Sequence, residues 1–171
     1  MQKIDRIAIW DITSQCNLRC AHCYNQERYW ENSNKYKELT SEDVRIIIDK
    51  LQKLNFTRLH LLGGEPLMSK QLYEIIEYGK KCNMIITMVT NGTLLSEKMV
   101  CDFCKMGVTS VNISLDGTTD KENDSIRGKG VFDIAIKNIR NGIVIKNKLN
   151  SDMNIGISFT LTKKIWKIQK I

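Results

Sequence analysis

Two kinds of apolar pattern alternate along the chain. Short runs, Arg6–Ile12, Arg58–Leu62, Met84–Thr90, Val108–Leu115 and Asn154–Leu161, are mostly apolar and rich in β-formers. Their length and composition predict strands. Between them, apolar residues recur every three or four positions. Thr40-Ser41-Glu42-Asp43 supplies an N-cap and early acidic residues. Val44, Ile47, Ile48, Leu51 and Leu54 then repeat at helical spacing. Gln71–Cys82 predicts a second amphipathic helix, and Ser96 caps a third that runs to Met106. A long helix is expected over Val131–Leu149, with Phe132, Ile136, Ile139 and Ile143 on one side, and Lys163–Ile171 opens a further helical pattern. Strands alternating with helices predict an α/β fold, a parallel sheet with helical crossovers.

The polar punctuation is uneven. Gly63-Gly64, Asn91-Gly92 and Asp116-Gly117 each end an expected strand. The loop after the first strand, from about Thr13 to Leu39, is far longer than a connection needs and contains three cysteines. Parallel α/β folds place their sites at these carboxyl-terminal strand ends.

A length of 171 residues suits one domain with a sizeable core. Lysine and arginine number 26 against 19 acidic residues, a net charge of 26 − 19 = +7. Such a balance suits acidic partners or nucleic acid. The lysines, however, are spread along the chain, with mild clusters at Lys146–Lys148 and Lys163–Lys170. Nucleic-acid recognition signatures are missing, so that class is set aside. Asp5 and Asp11 interrupt the first residues, which do not resemble a signal peptide, and no apolar run approaches a membrane span. Six cysteines without a secretory context point to metal binding in a reducing cytoplasm rather than to disulfides.

Cys16, Cys20 and Cys23 have the spacing C-x3-C-x2-C. Three thiolates within eight residues can converge on one metal centre, and soft thiolates suit zinc, copper(I) or an iron–sulfur cluster. Structural zinc and iron–sulfur clusters usually take four protein ligands. His22 could be the fourth for zinc, although it lies inside the run. Three ligands to a four-iron cluster would leave one iron open to a substrate. A zinc knuckle or three free thiols are the plainer alternatives.

CNLRCAHCY directly after a first strand resembles the radical S-adenosylmethionine (radical SAM) superfamily, whose signature is C-x3-C-x-aromatic-C. His22 stands at the aromatic position and Tyr24 follows the last cysteine. The form is similar to that of the peptide- and protein-modifying branch. The resemblance implies a partial (β/α) barrel of six βα units, of which about five are present. It also implies a 4Fe–4S cluster on Cys16, Cys20 and Cys23, with S-adenosylmethionine on the open iron and His22 and Tyr24 beside it. On this reading residues 1–171 form a single radical SAM core domain, incomplete at its C-terminal end. The cysteine-rich extension of close relatives is missing, and a partner chain could complete the barrel at the exposed edge of strand 5.

Other strand ends support the likeness. Gly63-Gly64-Glu65-Pro66 could be an ordinary turn, although two glycines let a backbone approach a ligand closely. In the family GGEP receives the amino group of S-adenosylmethionine, a role that passes to Gly63, Gly64 and Glu65. Asn91 belongs to a T-N-G segment that lines the family's site. Ser114 and Asp116 alternate with Leu115 and so point to one side, a pairing suited to ribose hydroxyls or simply to a bonded strand end. The family's S-x-D-G lies near the ribose and methionine parts of the cofactor. Arg127 could pair with a carboxylate; relatives use an arginine here on the methionine carboxylate. Many carry His-Asp just before it, where this chain has Asn123-Asp124.

The implied reaction is reductive cleavage of S-adenosylmethionine to a 5′-deoxyadenosyl radical, with flavodoxin or ferredoxin as electron donor. A peptide or protein side chain then yields the hydrogen. A non-catalytic zinc or electron-transfer protein and an inactive fragment are the competing readings. Cys101 and Cys104 are read as core or incidental thiols, Cys82 and His60 as structural. Trp10 is expected near the barrel wall, and Trp30 is unassigned.

Overall fold

The computed structural model describes residues 5–24, 26, 35 and 37–161. Five parallel strands pair in chain order: β1 (Ile7–Asp11), β2 (Arg58–Leu62), β3 (Ile85–Thr90), β4 (Ser110–Ser114) and β5 (Asn154–Ser158). The helices between them are α1 (Ser41–Lys53), α2 (Leu72–Lys81), α3 (Glu97–Met106), α4 (Asp120–Arg127) and α5 (Val131–Lys148). The α/β class and the partial barrel follow the expected alternation. The helical pattern from Lys163 and Trp30 lie outside the described residues.

Local chemistry accounts for the boundaries. Thr40 forms a full capping box with Asp43 at the start of α1, and Ser96 accepts from Met99 N–H at the start of α3. α3 ends on Gly107, in the left-handed region at φ 73°. The N–H of Val108 donates to Phe103 O, 3.0 Å. Val108 therefore closes the helix and β4 begins only at Ser110, two residues later than expected. β5 stops at Ser158 rather than Leu161, because the N–H of Thr160 turns away to the side chain of Asp116.

One helix was not expected. Residues 120–127 form α4, capped by Thr119 and Glu122 in a capping box. Thr119-x-x-Glu122 is the sequence signature of that cap, and it precedes the arginine motif. α5 starts on Gly130, which has no side chain to cap it. Asp124 serves instead, accepting from the N–H groups of Gly130 and Phe132.

Strand register sorts the side chains. Leu59 and Leu61, Ile86 and Met88, Val111 and Ile113 share one face and are 0–1% exposed. They form the core with Val44 and Ile48 of α1, Ile75 and Ile76 of α2, Val100 and Phe103 of α3, and Ala135 of α5. Trp10 packs against this core, at the wall. Two expected contacts fall outside it: Leu54, the C-cap of α1, and Ile143, beside the buried Gly142 of α5, are exposed. The opposite face carries Arg58, His60, Thr87, Asn112 and Ser114 and is left open by the helices.

Candidate cofactor site

All five strands are parallel, so their carboxyl ends gather the long cysteine loop and the three glycine turns at one rim. Hydrogen bonds fix the cysteine loop to every neighbouring strand end. Gly64 N–H donates to Thr13 O (2.9 Å) and Glu65 N–H to Gln15 O (2.7 Å). Asn91 Nδ2 donates to Asn17 Oδ1 (2.8 Å), tying the loop to the β3 turn. Ala21 N–H donates to Ile126 O (2.8 Å), tying it to α4.

The glycine pair makes this contact possible. Gly63 sits at φ 145°, and a Cβ there would lie 2.6 Å from Thr13 O. At Gly64 a Cβ would meet Gln15 O at 2.2 Å and the Cβ of Cys16 at 3.0 Å. The group packed against the two glycines is the cysteine loop itself.

A cavity of about 290 Å³ opens at the rim. Cys16, Cys20, Cys23, His22, Tyr24, Gly63, Gly64, Glu65, Asn91, Ser114 and Arg127 all line it. Asp116 does not line it; it is fully buried behind the wall. Thr90 of the T-N-G segment also lines the cavity, as do Ser158 and Thr160, which were not singled out from sequence. Ser158 pairs with Ser114 in the β4–β5 register, a neighbour that only pairing reveals.

Two of the thiols differ from ordinary surface cysteines. Burial, reinforced by the nearby Glu65 and the other two thiols, pushes Cys16 up to about 11. Cys20 is also raised by burial, against the opposing pull of Arg127. Among the described residues no three His, Cys, Asp or Glu side chains close on a single metal ion. A four-iron cluster is larger than an ion and accepts three thiolates spread around one cavity, so the donor set fits it.

Two buried carboxylates organise the rim. Glu65 Oε1 accepts from Leu67 N–H (3.0 Å) and Thr90 Oγ1 (2.6 Å), and Oε2 accepts from Asn91 N–H (2.8 Å). Burial raises its pKa against these three donors. Its side chain locks the β2 and β3 turns together, and Gly63, Gly64 and Glu65 all line the cavity. Asp116 Oδ2 lies 2.7 Å from His22 Nε2 and 2.6 Å from Arg127 Nε. The guanidinium sits off the line of a hydrogen bond, so this contact is chiefly electrostatic. An ionised Asp116 can only accept, so His22 Nε2 carries the hydrogen. His22 Nδ1 is buried at the cavity with no protein partner, as expected of an atom that meets a ligand.

Asn123, standing where many relatives have histidine, is fully buried and accepts from Asp116 N–H at 3.0 Å. His60 lies apart from the cavity and bonds Thr87 Oγ1 at 2.8 Å. Cys104 packs against the core, while Cys101 is half-buried beside it.

The radical SAM superfamily model matches residues 10–148, most of the chain, from the end of β1 through α5. The chain belongs to the radical SAM superfamily. It is similar to Fe-coproporphyrin III synthase of Methanosarcina barkeri, 34% identical over 92% of this chain and 37% of that protein. It is also similar to mycofactocin maturase MftC of Mycolicibacterium smegmatis, 28% identical over 88% of this chain and 37% of the relative. The chain thus spans little more than a third of these curated relatives. Its fold matches SuiB of Streptococcus suis bound to the precursor peptide SuiA, TM-score 0.73 at 17% identity, covering 95% of this chain and 35% of that one. Membership of this radical SAM family implies its cofactors, a 4Fe–4S cluster and S-adenosylmethionine.

Proposed function

We propose that this chain is a radical SAM enzyme core that generates a 5′-deoxyadenosyl radical and directs it at a peptide or protein side chain. The carrying observation is the convergence of Cys16, Cys20, Cys23, the Gly63–Glu65 backbone, Ser114 and Arg127 on one cavity. Cys16, Cys20 and Cys23 would hold the 4Fe–4S cluster. When bound, it supplies the electron that splits the sulfonium bond of S-adenosylmethionine.

The protein's own residues bind and orient. The Gly63–Glu65 backbone supports recognition of the cofactor's amino group, and Arg127 that of its carboxylate. Ser114 presents a hydroxyl at the cavity wall, and Tyr24 and His22 border the opening. The buried rim carboxylates keep these groups in place without solvent. The electron donor would be a flavodoxin or ferredoxin. Six free thiols suit a reducing compartment such as the cytoplasm, and among the described residues no helix is long and apolar enough to cross a membrane. The described elements are proposed to form one domain, with a partner chain or further polypeptide closing the barrel beyond β5.

The peptide assignment is supported by the likeness to mycofactocin maturase and to SuiB. The test is anaerobic reconstitution with iron and sulfide, reduction with dithionite, and assay of 5′-deoxyadenosine, with C16A/C20A/C23A as control. Production that vanishes in the variant is expected. A chain that takes up zinc and makes no 5′-deoxyadenosine overturns the reading. Deuterium transferred into 5′-deoxyadenosine from labelled peptides supports the substrate class. Transfer from a coproporphyrin instead would move the chain to the tetrapyrrole-acting side of its relatives.

A further inference from the structure

Asp116 is completely buried and meets four residues from three segments, the cysteine loop, α4 and the chain leaving β5. His22 comes from the cysteine loop (2.7 Å), Arg127 from the end of α4 (2.6 Å), and Thr160 N–H from the chain leaving β5 (2.9 Å, to Oδ1). The N–H of Asp116 itself donates to Asn123 Oδ1. Both carboxylate oxygens are occupied within the protein, and the residue is walled off from the cavity. Direct contact with a ribose, which the resemblance implies, is therefore not what this geometry offers.

Two of its partners lead straight to the cysteines. His22 lies between Cys20 and Cys23 in the chain, and Arg127 Nη1 stands 4.0 Å from the sulfur of Cys20. A buried carboxylate holds such partners firmly, because releasing either would strand charge away from water.

We propose that Asp116 is the positioning residue of the cluster site: through His22 it fixes the Cys20–Cys23 segment, and through Arg127 it holds a guanidinium against the Cys20 sulfur. The inference rests on the radical SAM reading of the three cysteines. Its consequences are a loop already shaped before the cluster arrives, and positive charge beside one thiolate. Charge and donors near cluster sulfurs set both retention and reduction potential.

The test uses the 171-residue chain, reconstituted as wild type, D116N, H22F and D116N/H22F. Iron release to a ferrous chelator is timed, with thermal unfolding of the metal-free proteins alongside. Asn at 116 keeps an oxygen for Thr160 but turns an amide donor toward the donors of His22 and Arg127. H22F lies on a loop and keeps an aromatic ring, so it guards against a D116N that fails to fold. Release about tenfold faster is expected in D116N. The double variant should release iron within about twofold of D116N alone, because both changes cut one link. R127Q should lower the cluster's midpoint potential, and the further drop should shrink in the D116N background. Unchanged iron release in D116N, or effects of D116N and H22F that multiply, would overturn the proposal. So would a lowered melting temperature with release and potential both unmoved, since that is a fold role only. A wild-type chain that assembles no 4Fe–4S cluster brings down the family reading itself, and this inference with it, before any variant is compared.

Discussion

The two faces of the sheet share the same strands and differ in chemistry, one apolar and one mixed. The helix-covered face is apolar and closed, with Leu59, Leu61, Ile86, Met88, Val111 and Ile113 essentially without exposure. The other face, one residue out of phase, is mixed: Arg58, His60, Thr87, Asn112 and Ser114 stand there among Ile9, Leu62, Ile85 and Val89. A parallel sheet covered on both sides would be apolar on both. The alternation therefore marks one face as lumen, and it separates the residues that stabilise the fold from those near its chemistry.

The sharpest way to break this division is to cut into the closed face. Leu61→Ala is expected to cost about 2–5 kcal/mol by chemical denaturation, because its side chain is wholly buried and leaves a cavity. A loss under 1 kcal/mol would mean the helices do not pack as described. The rim behaves differently. Gly64→Ala would drive a Cβ against Gln15 O, costing about 1–3 kcal/mol through overpacking. Its larger effect should be on the cysteine loop: iron retained after reconstitution should fall well below wild type while the circular dichroism of the fold persists.

Asp124 sits between the two regimes, since it joins α4 to α5 and so places Arg127. Burial raises its pKa, but hydrogen bonds from the Phe132 and Gly130 N–H groups and from Asn123 outweigh this and lower it overall. Asp124→Ala should cost about 1 kcal/mol, as for a lost helix cap. A group with a depressed folded pKa stabilises above its unfolded value and loses that contribution as pH falls through the folded one. The gap between wild type and D124A should therefore be full at neutral pH and close as the solution is acidified below about pH 4. A gap independent of pH would remove the carboxylate from the account. The smallest effect is expected on the open face. Thr87→Val removes the partner of His60 at a cost of about 0.5–1.5 kcal/mol, with cluster assembly unchanged.

Much of this was legible beforehand because it depends on local pattern. All five strands fall within the apolar runs that announce them, and Thr40 and Ser96 cap their helices as their residue types require. The three cysteines are close in sequence, so their convergence needed no fold. α4 went unread although Thr119 and Glu122 signalled it, because eight largely polar residues give no apolar periodicity. Ser158 and Thr160 went unread because they join the site only through pairing of β5 with β4 and through the turn that follows.

Residue types and their spacing determined the elements, the order of the strands' chemistry and the metal-binding character of the loop, since these are set by neighbours within a few positions. The tertiary structure alone decided what Asp116 does. Its motif suggested a carboxylate facing a cofactor, and folding brought His22, Arg127 and Thr160 to it from 94, 11 and 44 residues away. No local pattern encodes such a meeting, because it arises only when parallel strands align their ends and bury the charge between them.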